Sequence, residues 1–140
     1  MQFEMKSQLK ISELAAATGS SSETIRFYEQ EGLLPLPARS ASNYRLYGEE
    51  HVKRLQFVRH CRSLDMTLEE IRRLLAFRDA PGEECDGVND LLDRHIADVT
   101  TRVEELKALQ VQLVELRSQC GHTGLSGECG ILRELDEFSS

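Results

Sequence analysis

The sequence predicts a mainly α-helical fold, in which a small head of short helices precedes one long helix that pairs with a second copy. Two observations carry this prediction. Segments of the first 78 residues show apolar residues at helical spacing and are separated by glycine or proline. From Cys85 to Cys120, apolar positions recur at alternating steps of three and four for five heptads, which is the period of a coiled coil.

The head opens with two short helices joined by a tight turn. Residues 11–18 form the first helix, which Gly19 ends. Ser20 and Glu23 form a capping box at the start of the second helix, which runs to about residue 31 and ends at Gly32. We expect Phe27 in the core. This arrangement predicts a helix-turn-helix, although short helix pairs also occur in other folds.

A short hairpin follows the second helix. Residues 39–43 have the composition of a turn, and residues 44–47 have strand-forming residues that can pair with the region 36–39. Alternation along the strand places Arg45 and Tyr47 on one face. A basic, aromatic hairpin beside a helix-turn-helix predicts a wing that contacts the DNA backbone. The alternative is a hairpin that only closes the small core.

Two connector helices complete the head. The third helix, at about residues 49–63, has an apolar face that includes Cys61, which is therefore predicted to be a small buried thiol rather than a ligand. Thr67 and Glu70 form a capping box at the start of a fourth helix, which runs to about Phe77. We place the head, connector helices included, at residues 8–78.

The long helix, at residues 83–120, is predicted to be the dimerisation element. The seam consists of Cys85, Val88, Leu92, His95, Val99, Arg102, Leu106, Leu109, Leu113, Leu116 and Cys120. A single rod cannot bury its own apolar stripe, so we expect an obligate homodimer in which two rods pair in antiparallel orientation. His95 and Arg102 interrupt the seam, and we expect them to fix its register.

Three thiols mark the ends of this rod. Cys85 and Cys120 would lie roughly 50 Å apart along one rod and cannot meet within a chain. In an antiparallel pair, Cys85 of one chain lies opposite Cys120 of the other. Cys129 follows after a glycine-bearing loop, and residues 120–140 are predicted to form this loop and a short helix at 131–138. The arrangement predicts two metal sites, each with Cys85 from one chain and Cys120 and Cys129 from the other.

Composition limits the function. No apolar run is long enough to span a membrane and residues 1–10 lack the apolar stretch of a signal peptide, so we expect a cytosolic protein without a membrane partner. Residues 1–62 contain nine Lys or Arg and seven Glu, which gives a net charge of +2. Residues 63–140 contain eight Lys or Arg and seventeen Asp or Glu, which gives a net charge of −9. The head can therefore approach phosphates. With no nucleophile–base pair, phosphate loop or carboxylate dyad at informative spacing, the sequence indicates no enzyme.

Several head residues have side chains suited to DNA. Arginine makes bidentate contacts to guanine edges and phosphates, and tyrosine hydroxyls reach phosphate oxygens. For the second helix, a DNA contact and a solvated or core position are both open at Arg26 and Tyr28. The candidate set is Thr24, Arg26, Tyr28, Arg39, Asn43, Arg45 and Tyr47.

Three runs of residues resemble the MerR family of bacterial transcription regulators. Residues 24–35 are similar to the recognition helix of that family and its exit, residues 43–47 to its wing, and residues 60–71 to the segment between its connector helices. The rod with its three cysteines resembles the metal-sensing branch. Arg39 and the runs 47–52 and 60–66 look most like the lead- and cadmium-responsive members.

The resemblance implies a mechanism. A homodimer sits on a palindromic operator in double-stranded DNA, inside a promoter whose spacer is too long for RNA polymerase. Metal binding shifts the two heads, which bend and untwist the DNA so that transcription of a metal-resistance operon starts. In this scheme Thr24, Arg26 and Tyr28 face the major groove, while Arg45 and Tyr47 contact the backbone.

The candidate ligands restrict which metal ions can be the effector. Three thiolates without a clear fourth ligand favour Pb(II), Cd(II) or Hg(II) over a closed structural zinc site. Gly121, after Cys120, departs from the adjacent cysteines of zinc-sensing members, and the overall likeness favours lead or cadmium over mercury or zinc. His122 could add a nitrogen ligand or be solvated. A thiol redox sensor and a metal buffer without a DNA role remain as alternatives.

Overall fold

The computed structural model describes residues 8–82, 84–120 and 124–137, and it divides into two compact units at residues 1–88 and 89–140. The elements in chain order are α1 (Ile11–Thr18), α2 (Ser22–Gln30), β1 (Ala38–Arg39), β2 (Arg45–Leu46), α3 (Glu49–Ser63), α4 (Leu68–Arg78), α5 (Asp86–Ser118), a 3₁₀ turn at Ser126–Glu128, and α6 (Gly130–Glu137). The predicted helical fold with a small antiparallel wing and one long helix is confirmed.

The first unit is organised around one apolar core. Every helix of the head contributes to it, because each has apolar residues three or four positions apart on one face. The side chains with essentially no exposed surface are Leu14, Ile25, Leu33, Tyr47, Leu55, Val58, Ile71 and Leu75. Val52 and Cys61 complete the buried face of α3, as the sequence predicted.

The ends of α1 and α2 follow the predicted glycines, but the cap of α2 does not follow the predicted serine. Gly19 and Gly32 have φ values of 70° and 76°, which favour glycine. The cap is Ser21, whose extended backbone lets its Oγ accept a 3.1 Å hydrogen bond from the amide of Thr24. The predicted Ser20–Glu23 box is therefore wrong by one residue, and the Oγ of Ser20 is buried instead.

The wing is a two-stranded antiparallel hairpin that the chain before α1 also joins. Ala38 pairs with Leu46 and Arg39 with Arg45, while Asn43 takes a φ of 66° in the turn. A bridge between Leu9 and Tyr47, with hydrogen bonds of 2.7 and 2.8 Å, holds the chain before α1 against this hairpin. Residues 8–10 are therefore held against the wing, and residues 1–7 lie outside the described part.

Arginine side chains tie the connector helices to the exit of α2. Arg54 on α3 donates to the carbonyl of Leu33 at 2.9 Å and holds Asp79 through two hydrogen bonds of 2.9 and 3.1 Å. Arg72 on α4 donates to the carbonyl and the carboxylate of Glu31, at 3.0 and 2.5 Å. The predicted Thr67–Glu70 capping box opens α4, with both reciprocal hydrogen bonds present. The connector helices are thus fixed to the exit of the helix-turn-helix.

The long helix α5 has 33 residues and begins one residue after Cys85. Along it, a stripe of large apolar side chains remains exposed: Leu92, Ile96, Val99, Val103, Leu106, Leu109 and Leu113. The stripe includes Ile96 and Val103, which neighbour the polar seam positions His95 and Arg102, so it is more continuous than the predicted seam. Within the described residues, no helix combines the length and the apolar character needed to cross a lipid bilayer.

Candidate nucleic-acid interface and candidate metal centre

A basic depression lies between the start of α1, the helix α2 and the wing. The residues that line it are Lys10, Ile11, Ser12, Arg26, Arg39, Asn43, Tyr44 and Arg45. They include four cations and no carboxylate, and four of the seven predicted DNA contacts are among them. A concave surface with this charge attracts phosphate groups.

Three residues with polar or charged side chains around this depression are not among the predicted DNA contacts. Lys10 and Ser12 are positioned at the start of α1, next to the Leu9–Tyr47 bridge, and Tyr44 is 66% exposed. Alternation along residues 44–47 separated Tyr44 from Arg45, but Tyr44 precedes β2, which begins at Arg45, so strand alternation does not fix the direction of its side chain. No local sequence pattern identifies Lys10 and Ser12 as part of this surface, because the Leu9–Tyr47 bridge beside them joins distant parts of the sequence.

Arg26 and Thr24 lie on the outer side of α2. Arg26 is exposed and faces the depression. Thr24 is half-buried and its Oγ1 accepts a 2.8 Å hydrogen bond from the Oγ of Ser21. The cap of the helix therefore orients the Thr24 hydroxyl.

Tyr47 belongs to the core, so the DNA contact predicted for its side chain stays a prediction that its burial disfavours. The residue is 0% exposed, and its hydroxyl donates a 2.5 Å hydrogen bond to Oε1 of Glu29. Burial, and after it the neighbouring Glu29, raise the pKa of Tyr47 to about 12. Strand alternation placed Tyr47 with Arg45, but the bridge to Leu9 covers this end of the strand.

The aromatic residues of α2 exchange their expected places. Phe27, which was expected in the core, is 45% exposed, whereas Tyr28 is 8% exposed and packs with Ile25. On a helix with 3.6 residues per turn, positions 25 and 28 share one face and position 27 lies beside it. The groove contact predicted for Tyr28 stays a prediction that its burial disfavours.

Two of the three candidate metal ligands are neighbours in the second unit. Cys120 follows the end of α5, and Cys129 directly precedes α6. Their thiols share a hydrogen bond, and both line one concave surface. The close return of the chain depends on Gly130, because a Cβ there would lie 2.5 Å from the carbonyl oxygen of Gln119.

The surroundings of Cys129 favour its thiolate. The backbone N–H of Leu132 is the main cause of a lowered pKa at Cys129, and the N–H of Ile131, the thiol of Cys120 and the charge of Arg117 act in the same direction. Arg117 also donates a 3.0 Å hydrogen bond to the carbonyl of Cys120. Since the thiolate is the form that binds metal, a thiol with a lowered pKa is better suited to bind a metal than an ordinary thiol.

Cys85 and Cys61 have different surroundings. Cys85 is exposed next to the first residue of α5 and belongs to the first unit. Cys61 is buried, and burial raises the pKa of its thiol, which agrees with the predicted structural role. Among residues 8–82, 84–120 and 124–137, no three His, Cys, Asp or Glu side chains form a metal-binding group. The candidate ligand His122 lies outside the described residues.

Comparison with known families agrees with this geometry. A profile described as MerR HTH family regulatory protein matches residues 9–77, and a second, described as MerR, DNA binding, matches residues 52–116. The chain belongs to the MerR family. It is therefore a DNA-binding transcription regulator and not an enzyme, as predicted.

Among three similar proteins, two have a metal in their descriptions. A ZntR homolog of Haemophilus influenzae is 47% identical over 111 residues, which are 79% of this chain and 82% of that protein. The mercuric resistance operon regulatory protein of Bacillus cereus is 35% identical, covering 91% and 97% of the two chains. The crystal structure of PbrR691 from Ralstonia metallidurans CH34 in complex with lead(II) is 52% identical, with a TM-score of 0.81 and coverage of 91% and 98%. The predicted resemblance to the metal-sensing MerR branch is confirmed.

The buried hydrogen bond of Tyr47 gives a stability prediction. Tyr47→Phe leaves the buried carboxylate of Glu29 without its closest donor, and should lower the free energy of unfolding by about 1–3 kcal/mol. Urea denaturation followed by circular dichroism measures this change. Tyr44→Phe, at an exposed position of the same hairpin, should leave the stability unchanged. Equal stabilities of the two variants would contradict the role assigned to Tyr47.

The close approach at Gly130 gives a prediction for the metal centre. Gly130→Ala places a methyl group against the backbone of Gln119 and should separate Cys129 from Cys120, weakening Pb(II) affinity at least about tenfold. Competitive titration with a chelator measures the affinity. Gly127→Ala is the matched control, because a Cβ at Gly127 meets nothing within 4 Å. Unchanged affinity in Gly130→Ala would show that the loop geometry does not matter for binding.

Proposed function

We propose that this chain is a homodimeric, cytoplasmic, metal-responsive activator of a metal-resistance promoter, with Pb(II) or Cd(II) as effector. The observation that carries the proposal is the Cys120–Cys129 thiol pair beside α6, at the end of a long helix with an exposed apolar stripe. The 52% identity to a protein crystallised with lead(II) supports the choice of metal.

The stripe on α5 supports the homodimer. Seven large apolar side chains spaced three or four residues apart are exposed along one side of this helix. Each such side chain gains about 1.5–3 kcal/mol when fully buried, so pairing with an identical helix has a large driving force. In the antiparallel arrangement, the partner subunit's Cys85 approaches Cys120 and Cys129. The complete site then requires both subunits.

The chemistry of the donors fits a soft ion. Thiolates select soft or borderline metals, and Cys129 is already biased toward the thiolate by the N-terminus of α6 and by Arg117. When bound, the ion supplies bonds that hold three sulfur atoms from two subunits together. The chain contributes the loop that keeps Cys120 and Cys129 adjacent, and Arg117, which neutralises part of their negative charge.

The basic depression supports the DNA contacts. In this proposal, α2 enters the major groove with Thr24 and Arg26, and the wing residues Arg39, Asn43 and Arg45, which line the depression, contact the flanking phosphates. Metal binding repositions the two heads so that the operator bends and untwists and RNA polymerase can start transcription. Shifting such an equilibrium from 1:99 to 99:1 needs roughly 5.5 kcal/mol. Thiolate-rich sites bind with about 10 kcal/mol or more, which is sufficient.

A mercury-responsive regulator is the second candidate. The 35% identity to the mercuric resistance operon regulatory protein favours it, and Hg(II) accepts three thiolates as well. A reporter panel with Pb(II), Cd(II), Hg(II) and Zn(II) separates the candidates. We expect the strongest induction with Pb(II) or Cd(II), and a response to Hg(II) alone would favour the second candidate.

Mixed dimers test whether the site is shared between subunits. Cys85→Ser and Cys120→Ser should each abolish the metal response of a homodimer, because every site then lacks one thiol. Coexpression of the two variants should restore binding of about one ion per dimer, since one of the two shared sites is then intact. Affinity purification with two different tags, followed by metal analysis, measures this.

Cys61→Ala is the matched cysteine control for that experiment. It removes a thiol from the core of the head, so it should lower stability and leave the metal stoichiometry unchanged. If the mixed dimer binds no metal, the sharing of thiols between chains is wrong. If either single variant responds normally to metal, the ligand assignment itself is wrong.

The role of Arg26 is tested by the salt dependence of DNA binding. Arg26→Ala should weaken binding to a selected palindromic duplex by at least about tenfold, and should reduce the slope of log K against log salt by about one if Arg26 contacts a phosphate. Lys107→Ala removes the same charge from α5 and should change neither quantity. Fluorescence anisotropy over a salt series measures both. Operator affinity equal to that of the wild type would exclude Arg26 from the interface.

A further inference from the structure

The carboxylate of Glu29 on α2 joins the recognition helix to the wing. Its side chain is 8% exposed, its Oε1 accepts the 2.5 Å hydrogen bond from Tyr47, and its Oε2 lies 3.4 Å from Nη1 of Arg45. A buried carboxylate is retained only when it is paired and hydrogen-bonded, and both partners here come from the wing. Glu29 therefore fixes the wing against α2 through one neutral and one charged group.

The register of the wing makes a carboxylate useful at this position. Arg39 and Arg45 are directly opposite each other on the two strands, and like charges in that arrangement repel. Nη1 of Arg39 donates to the backbone carbonyl of Asn43 at 3.2 Å, which gives this charge a neutral acceptor. Glu29 gives Arg45 a charged one, so the hairpin can hold two arginines side by side before any phosphate is present.

The same pairing restricts how Arg45 meets DNA. The Arg45 side chain is 39% exposed, so part of the guanidinium faces outward while Nη1 is directed to Glu29. Burial and Glu29 raise the pKa of Tyr47, so its hydroxyl stays protonated. The Glu29 carboxylate therefore keeps the Tyr47 hydroxyl as a hydrogen-bond donor in addition to Arg45. Arg45 is thereby presented in one orientation rather than as a flexible charge.

We infer that Glu29 is a positioning residue that helps the protein to discriminate its operator from other DNA. It orients Arg45 toward the phosphates of one binding register, and its negative charge weakens the attraction of Arg45 to phosphates in other registers. Contacts to phosphates in one fixed register position a protein on its site, whereas freely moving charges bind any sequence. This inference rests on the proposed wing contact of Arg45. It assigns to a buried acidic residue a role in specificity that exposure alone would not suggest.

Glu29→Gln tests the inference, because glutamine keeps the size and an acceptor for Tyr47 and removes the charge. The probes are a palindromic duplex selected in vitro with the wild-type protein and a scrambled duplex of the same composition. Affinity for the scrambled duplex should rise about threefold, and the ratio of the two affinities should fall about tenfold. Fluorescence anisotropy at several salt concentrations measures both, and a ratio equal to that of the wild type overturns the inference.

A double-substitution cycle separates this role from a general structural one. In the Arg45→Gln background, Glu29→Gln should leave the ratio unchanged, since the residue through which it acts is absent. An equal fall in both backgrounds overturns the inference. Glu23→Gln removes the same charge from the exposed first turn of α2 and should preserve the ratio.

Two further outcomes complete the test. If Glu29→Gln does not fold, as judged by circular dichroism, Arg45→Lys replaces it. Lysine keeps the charge and the carboxylate but loses the planar guanidinium, so the ratio should still fall, and an unchanged ratio overturns the inference. If Arg45→Gln itself retains full affinity for the selected duplex, the wing contact in the proposed function is wrong, which is a separate failure.

Discussion

The exposed apolar stripe of α5 is the constraint on which the rest of the proposed assembly depends. A 33-residue helix presents one continuous apolar side, and Leu106, Leu109 and Leu113 on it are about half exposed or more. A helix of this length cannot fold back on itself, so its apolar stripe can be buried only against another helix of similar length and apolar spacing. An identical helix in antiparallel orientation would bury the stripe and would also bring thiols from two chains together. In this assembly, the same heptad pattern determines both the dimer interface and the position of the metal site.

Within the head, the arginine contacts explain how a movement of the connector helices would reach DNA. Arg54 and Arg72 bind the carbonyls of Leu33 and Glu31 at the exit of α2, and Glu29 binds the wing from the same helix. A hydrogen-bonded arginine held by a carboxylate is directional, so α2 cannot rotate against α3 and α4 without breaking several of these bonds. The head is therefore suited to move as one body. A switch built from it should reorient whole heads rather than single contact residues.

Local signals in the sequence predicted most of the elements, whereas some errors arose from contacts between distant residues and others from competition between neighbouring residues. The limits of α3 and the Thr67–Glu70 box follow from helix period and capping chemistry, which act over a few residues. The burial of Tyr47 depends on the bridge to Leu9, some 38 positions earlier, and strand alternation carries no information about it. The error at Phe27 arose because two neighbouring aromatic residues compete for one inward face. Cys120 and Cys129 were recognisable from residue type, whereas the contribution of Gly130 depends on how the loop closes.

The surroundings of Cys129 bear on why a thiol site can act at neutral pH. An ordinary thiol is largely protonated at pH 7, so a metal must displace protons from its ligands as it binds. The N–H groups of Leu132 and Ile131, together with Arg117, lower the pKa of Cys129 and remove part of that cost before the ion arrives. In the proposed site, the same groups would offset the negative charge of the thiolates around a divalent ion. Because α6 begins directly after Cys129, its first N–H groups would be part of the electrostatics of the proposed site.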